Sequence, residues 1–157
     1  MQDEQLTTIL LDQFIAHPPR RVWQVLTDSE KLARWLMPND FELAVGRKFT
    51  FRGLSVPVVH FGGVVHCEVL DFQTERMLRI SWDDHGQNGL RSTVTWRLEP
   101  EGTGTRVFLE HEGFDDDDAV QQLSRKLLGG GWLGVLRRLG EVVATTAPLK
   151  EHRSNIR

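Results

Sequence analysis

The chain has one cysteine, Cys67, so an internal disulfide is impossible and nothing points to an oxidising compartment. It lacks any apolar run approaching the roughly 18 residues of a membrane span. Its first residues, Met1-Gln2-Asp3-Glu4-Gln5, are acidic and polar, unlike the basic start of a signal peptide. Together these absences point to the cytoplasm and away from the membrane. Basic residues are not in excess either. The formal net charge is −3 and the isoelectric point about 6.1, which argues against a nucleic-acid partner. The pairs Arg20–Arg21 and Arg137–Arg138 sit among acids and read as solvated surface.

Catalytic signatures are equally scarce. No serine sits in a G-x-S-x-G elbow and no Walker loop is present. His60, His66, Cys67, Glu68 and His111 carry suitable ligand atoms, but no CxxC or HxxxH spacing gathers them, so neither a metal nor a cofactor is expected. Cys67 alternates with Val65 and Val69 and reads as a small buried hydrophobe, not as a nucleophile.

What remains is an ordinary globular composition, with 39% hydrophobic and 26% charged residues. The 157 residues suit one domain. No repeat or linker divides them. The core is expected over about residues 6–146, with a frayed polar tail over 148–157.

Residues 6–16 are rich in apolar and β-branched types on both parities and predict a strand covered on both faces or lying between a sheet and a helix. His17-Pro18-Pro19 ends it, and Pro19 suits the first turn of a helix reaching Leu26. Asp28 or Ser29 can cap a second short helix, Glu30 to Leu36. The alternation Phe41, Leu43, Val45, then Phe49 and Phe51 around Gly46, predicts a hairpin, followed by a loop over 52–61. Strands follow from Gly62-Gly63 to about Phe72 and from Leu78 to Trp82. Asp83 to Gly89 reads as a polar loop. Two more alternating segments, Ser92 to Leu98 and Thr105 to His111, complete an antiparallel meander.

The acidic run Asp115–Asp118 reads as a solvated helix start, favoured by the macrodipole, and not as a metal site. Beyond it Val120, Leu123, Leu127, Trp132, Leu136 and Leu139 recur at helical spacing to about Thr146. Gly129-Gly130-Gly131 interrupts this stretch. At about 1 kcal/mol per glycine against alanine, a break or kink is expected there. An amphipathic helix after a bent antiparallel sheet should lie across its hollow side.

Several stretches in this order resemble the START-like (SRPBCC) superfamily, and within it the family of the C-terminal domain of the activator of heat shock protein 90 ATPase. They are Phe14-Ile15-Ala16-His17-Pro18 with Val22-Trp23-Gln24-Val25-Leu26-Thr27-Asp28, then Leu32 and Trp35, then Gly62-Gly63 through Leu78-Arg79-Ile80-Ser81-Trp82. Ser92 to Pro100, Gly104 to Phe114, and Gly131-Trp132 with Leu136 and Leu139 complete them. Ser29 stands where the family often has proline, and the triple glycine and acidic run are departures.

The resemblance implies an α+β helix-grip fold: a curved antiparallel sheet of six to seven strands wrapped on a long C-terminal helix, with two short helices after the first strand. It also implies a chamber between sheet and helix. Its expected walls are Trp35, Phe49, Phe51, Ile80, Trp82 and Trp96, with Leu109, Trp132, Leu136 and Leu139. His111 shares the strand parity of Val107 and Leu109 and is expected to face the chamber, as a ligand contact or as a satisfied buried imidazole. The leading function is non-catalytic binding of a small, largely apolar ligand. A chaperone-associated interaction domain is the alternative, although the namesake's additional N-terminal domain has no counterpart in these residues. A cyclase- or hydrolase-like enzyme, with His111 as its base, comes third.

Overall fold

A computed structural model of the protein describes residues 6–84 and 90–146. Strand β1 (Thr8–Ile15) is followed by helices α1 (Pro19–Leu26) and α2 (Ser29–Trp35). Five strands come next: β2 (Lys48–Arg52), β3 (Val64–Gln73), β4 (Met77–Asp83), β5 (Arg91–Glu101) and β6 (Gly104–Glu112). A single 3-10 turn, Pro57–Val59, lies between β2 and β3, and helix α3 (Ala119–Thr145) ends the described chain. The strands form one antiparallel sheet in the order β1-β6-β5-β4-β3-β2, and α3 packs against it, as a helix-grip fold requires. Among the described residues no helix is long and apolar enough to cross a membrane. The expected tail at 148–157 lies outside the described residues.

The short helices form where the sequence punctuates them. Pro18 and Pro19 open α1, where a missing amide hydrogen costs nothing. Asp28 caps α2, its Oδ2 accepting from the Lys31 amide at 3.0 Å. Period-two alternation does the same for the sheet. Register places Ile9 opposite His111, His111 opposite Val94, Val94 opposite Ile80 and Ile80 opposite Val69, a row crossing five strands on the inner face. A bulge between Val69 and Asp71 switches the parity of β3, so that Phe72 pairs with Leu78.

Three expectations need correction. The alternation at 41–45 does not make a strand. The free edge of β2 is met instead by the segment just before: Asp40 Oδ1 accepts from the Thr50 amide at 2.7 Å, and the Pro38 carbonyl accepts from the Arg52 amide at 3.0 Å. Asn39 Oδ1 accepts from the Phe41 amide at 3.0 Å, turning the chain so that Phe41 packs edge-on against Phe49. Gly46, at φ +91°, then returns the chain, its amide donating to Val69. Second, β1 is not covered on both faces. It is a sheet edge whose outer side leaves Leu10 70% exposed.

Third, α3 runs unbroken through Gly129-Gly130-Gly131. The helix is anchored on both sides of the glycines, by Gln121 and Ser124 before and by Trp132, Leu136 and Leu139 after, all buried. Burial of that magnitude outweighs about 3 kcal/mol of summed helix propensity. A Cβ at any of the three glycines would meet nothing within 4 Å. Alanine at each position is therefore expected to raise stability by about 1 kcal/mol, measured by urea unfolding. A loss of stability at all three sites would mean that the helix is broken in solution.

Candidate functional site

The space between the sheet and the C-terminal half of α3 is filled by aromatic rings. Trp35 meets Trp96 edge-on at 6.3 Å between centroids, and Trp96 meets Trp132 edge-on at 5.9 Å. Trp132 reaches Trp82 at 5.3 Å, Trp82 reaches Phe51 at 5.6 Å, and Phe51 reaches Phe49 at 5.4 Å. Ile80, Leu109, Leu136 and Leu139 close the cluster, all fully buried. Edge-on and tilted pairs at these spacings are favourable beyond the area they bury.

His111 lies in the middle of this cluster, fully buried. The Trp132 Nε1–H donates to its Nδ1 at 3.0 Å. An indole nitrogen can only donate, so Nδ1 carries no proton and the neutral ring must carry it on Nε2. That Nε2 lies 2.8 Å from Ser92 Oγ, and Ser92 Oγ donates in turn to the Trp82 carbonyl at 2.9 Å. The relay therefore runs from Trp132 to His111 to Ser92 to the β4 backbone. Burial pushes the His111 pKa down to about 3, since the imidazolium would be a desolvated charge. Both ring nitrogens are committed, so the imidazole locks helix to sheet and offers no free lone pair to a substrate. Cys67 is buried too, and burial pushes its thiol up, away from the reactive thiolate.

The open space lies further along, towards the N-terminal half of α3. A cavity of about 210 Å³ is bounded there by Val65 of β3, Trp82 and Asp84 at the end of β4, and Leu90 just before β5. Ser124, Leu127 and Leu128 of α3 form its roof. Met37, Val56, Val59 and Phe61 complete it from the segments around α2 and the 3-10 turn. Of the residues expected from sequence to line a chamber, Trp82 borders this cavity. The others pack against one another beside it, with Trp132 and Phe51 supporting the back of the Trp82 ring.

Most of the cavity wall was not foreseen. The segment 52–61 reads as a loop, yet it supplies Val56, Val59 and Phe61, and the apolar run Val56-Pro57-Val58-Val59 was the available signal. Asp84 falls in the polar loop expected over Asp83 to Gly89, of which 85–89 lie outside the described residues. One residue beyond β4 it keeps the inward parity of Leu78, Ile80 and Trp82, and it is only 6% exposed. The acidic run before α3 does what its position suggests. Asp118 Oδ1 accepts from the amides of Val120 and Gln121, while Asp115, Asp116 and Asp117 stay exposed.

The sequence model of one family, described as activator of Hsp90 ATPase homolog 1-like protein, matches residues 16–144. Among solved structures, protein MLL2253 from Mesorhizobium loti is 32% identical with a TM-score of 0.76, over 90% of this chain and 99% of that one. CalU16 from Micromonospora echinospora is 27% identical with a TM-score of 0.69, over 88% of this chain and 76% of that one. Protein BH1534 from Bacillus halodurans is 26% identical with a TM-score of 0.68, over 88% and 97% respectively. No curated protein matches the chain.

Proposed function

The chain belongs to the activator of Hsp90 ATPase homolog 1-like family, and on that footing we propose that it binds a small, largely apolar molecule, without altering it, in the cavity beside Trp82. The observation that carries this reading is the wall itself: nine of the eleven described lining residues are apolar, and Asp84 and Ser124 are the two polar ones among them. Ligand sites combine apolar walls with a few placed polar groups in this way. At about 210 Å³ the space falls below the roughly 300–1,000 Å³ common for drug-sized ligands, so the occupant is small. Binding without chemistry is supported by the state of His111, whose two nitrogens are both occupied within the core.

The test uses 1-hexanol as a small apolar probe. A ligand that binds the folded state alone raises the melting temperature, by an amount set by its concentration relative to Kd. Hexanol is expected to raise the melting temperature of the wild type. Leu128→Trp, which fills the cavity from the helix side, is expected to abolish the shift while leaving the fold intact. An equal shift in both proteins would show that hexanol binds elsewhere and would remove the cavity from consideration.

The family's description supports a second reading, contact with an Hsp90-type chaperone. An ATPase assay of the purified chaperone with and without this protein separates the two. Stimulation that Leu128→Trp leaves unchanged would favour the chaperone reading.

A further inference from the structure

We infer that the cavity recognises a carbonyl: a small apolar ketone, aldehyde or ester whose oxygen accepts from two donors in the wall, the Ser124 hydroxyl and the Trp82 indole N–H. This rests on the cavity being a ligand site and adds the chemistry of the ligand's polar end. Four hydroxyl side chains are buried among the described residues, those of Ser92, Thr95, Thr105 and Ser124. Three are engaged within the protein. Ser92 Oγ donates to the Trp82 carbonyl at 2.9 Å, Thr105 Oγ1 donates to the His17 carbonyl at 2.7 Å, and Thr95 Oγ1 accepts from Arg79 Nε at 3.1 Å. Ser124 Oγ has no hydrogen-bond partner among the described residues. A serine within a helix can fold its hydroxyl back onto the carbonyl four residues earlier. Thr145 does so onto Glu141, and Thr27, closing α1, does so onto Trp23. Ser124 does not.

The tryptophans show the same contrast. Trp35 Nε1 donates to the Val25 carbonyl at 3.3 Å and Trp132 Nε1 to His111, whereas Trp82 Nε1 donates to no described residue. Trp96 Nε1 is sealed in the core without a partner. Ser124 Oγ and Trp82 Nε1 are not sealed, and the open space that both residues line is the cavity. Ser124 is only 5% exposed and Trp82 only 4%, so these groups face that void and not bulk solvent.

These two donors select the partner. An indole N–H only donates, and a carbonyl oxygen offers two lone pairs and no hydrogen. One carbonyl therefore answers both groups and leaves nothing of its own unpaired. A buried polar group without a partner is costly, so supplying one favours the occupied state. Asp84, the remaining polar residue of the described wall, has an interaction of its own and is not called upon. Two periodicities bring the donors to the same void. Trp82 ends the inward series Leu78, Ile80, Trp82 of β4. Ser124 heads the series Ser124, Leu128, Trp132, Leu136, spaced by four along α3. A serine at the head of that series leaves room that a leucine would fill and marks it with one polar atom. The apolar part of the ligand lies against Val65, Leu90 and Leu128.

Two rings of equal size test this, cyclohexanone and the oxygen-free cyclohexane, titrated by calorimetry against the wild type, Ser124→Ala, Trp82→Phe and Leu128→Trp. Losing one net hydrogen bond is expected to weaken cyclohexanone about threefold to tenfold in Ser124→Ala, and by a similar factor in Trp82→Phe, while Ser124→Ala leaves cyclohexane within about twofold of the wild type. Leu128→Trp should abolish binding of both rings, which places them in the cavity. The infrared carbonyl stretch of bound cyclohexanone gives a readout independent of affinity. Donation from Ser124 lowers its frequency, so the band is expected to rise in Ser124→Ala. If both rings bind but Ser124→Ala weakens them equally, or leaves the carbonyl band where it was, this inference is overturned and the cavity reading stands. If neither ring binds, both fall together.

Discussion

Acidification from pH 7 towards pH 4 is expected to destabilise the wild type more steeply than His111→Gln. Unfolded, His111 titrates near its ordinary value of 6.5, whereas burial in the native core lowers that value to about 3. Between those two values the unfolded chain binds a proton that the folded chain refuses. By linkage, the contribution of His111 to stability is complete above about pH 6.5 and is lost as the pH falls, at up to about 1.4 kcal/mol per pH unit. Glutamine can accept from the Trp132 indole and donate to Ser92 without titrating. Urea-unfolding free energies of both proteins, taken every half unit, provide the comparison. Carboxylates titrate in both and cancel in the difference. Parallel curves would mean that the imidazole is already protonated, or reached by water, in the native state, and the relay from Trp132 to Ser92 would then be wrong.

The second large effect concerns the other end of that relay. Trp132→Ala is expected to cost about 3–5 kcal/mol, the range for removing a large aromatic side chain from a packed core. Trp132→Phe keeps much of the ring packing against Trp82 and Trp96 but strips the donor from His111 Nδ1. It should cost about 1–3 kcal/mol, the penalty for leaving a buried polar atom unsatisfied. Leu133→Ala, one residue on and half-exposed, should change stability by no more than about 0.5 kcal/mol. Urea midpoints of the three variants give the ranking. If Trp132→Ala proved as mild as Leu133→Ala, the terminal helix could not be seated on the sheet as described.

How far the sequence disclosed this arrangement depends on how local each signal was. Helix α1 was legible because Pro18 and Pro19 fix its start by backbone chemistry alone, whereas for α2 the sequence offered both Asp28 and Ser29 as caps, and Asp28 is the one that caps it, one residue earlier than expected. The meander of β4, β5 and β6 was legible because each strand has one buried face and a period of two. The same rule misled at 41–45, where the alternation is genuine but the neighbouring strand edge is already taken up by the Asp40 side chain and by the backbone of Pro38 and Asn39. At Gly129–Gly131 a local cost was visible, and the non-local burial that overrides it was not. The aromatic residues were identified as inward-facing, and they are. Which of them would close on one another, and where the remaining void would fall, depended on contacts between α3 and strands and loops distant in sequence. Asp84 shows the limit from the other side. Its parity was readable, but its type suggested a loop.

The three glycines divide the terminal helix into two lengths with unequal duties. Downstream, Trp132, Leu136, Leu139 and Val143 are immobilised against the sheet. Upstream, Ser124, Leu127 and Leu128 form the roof of the void. Selection can therefore act on the two lengths almost separately. Descendants of this chain are free to recut the roof and exchange one guest molecule for another while the keel beneath stays unaltered.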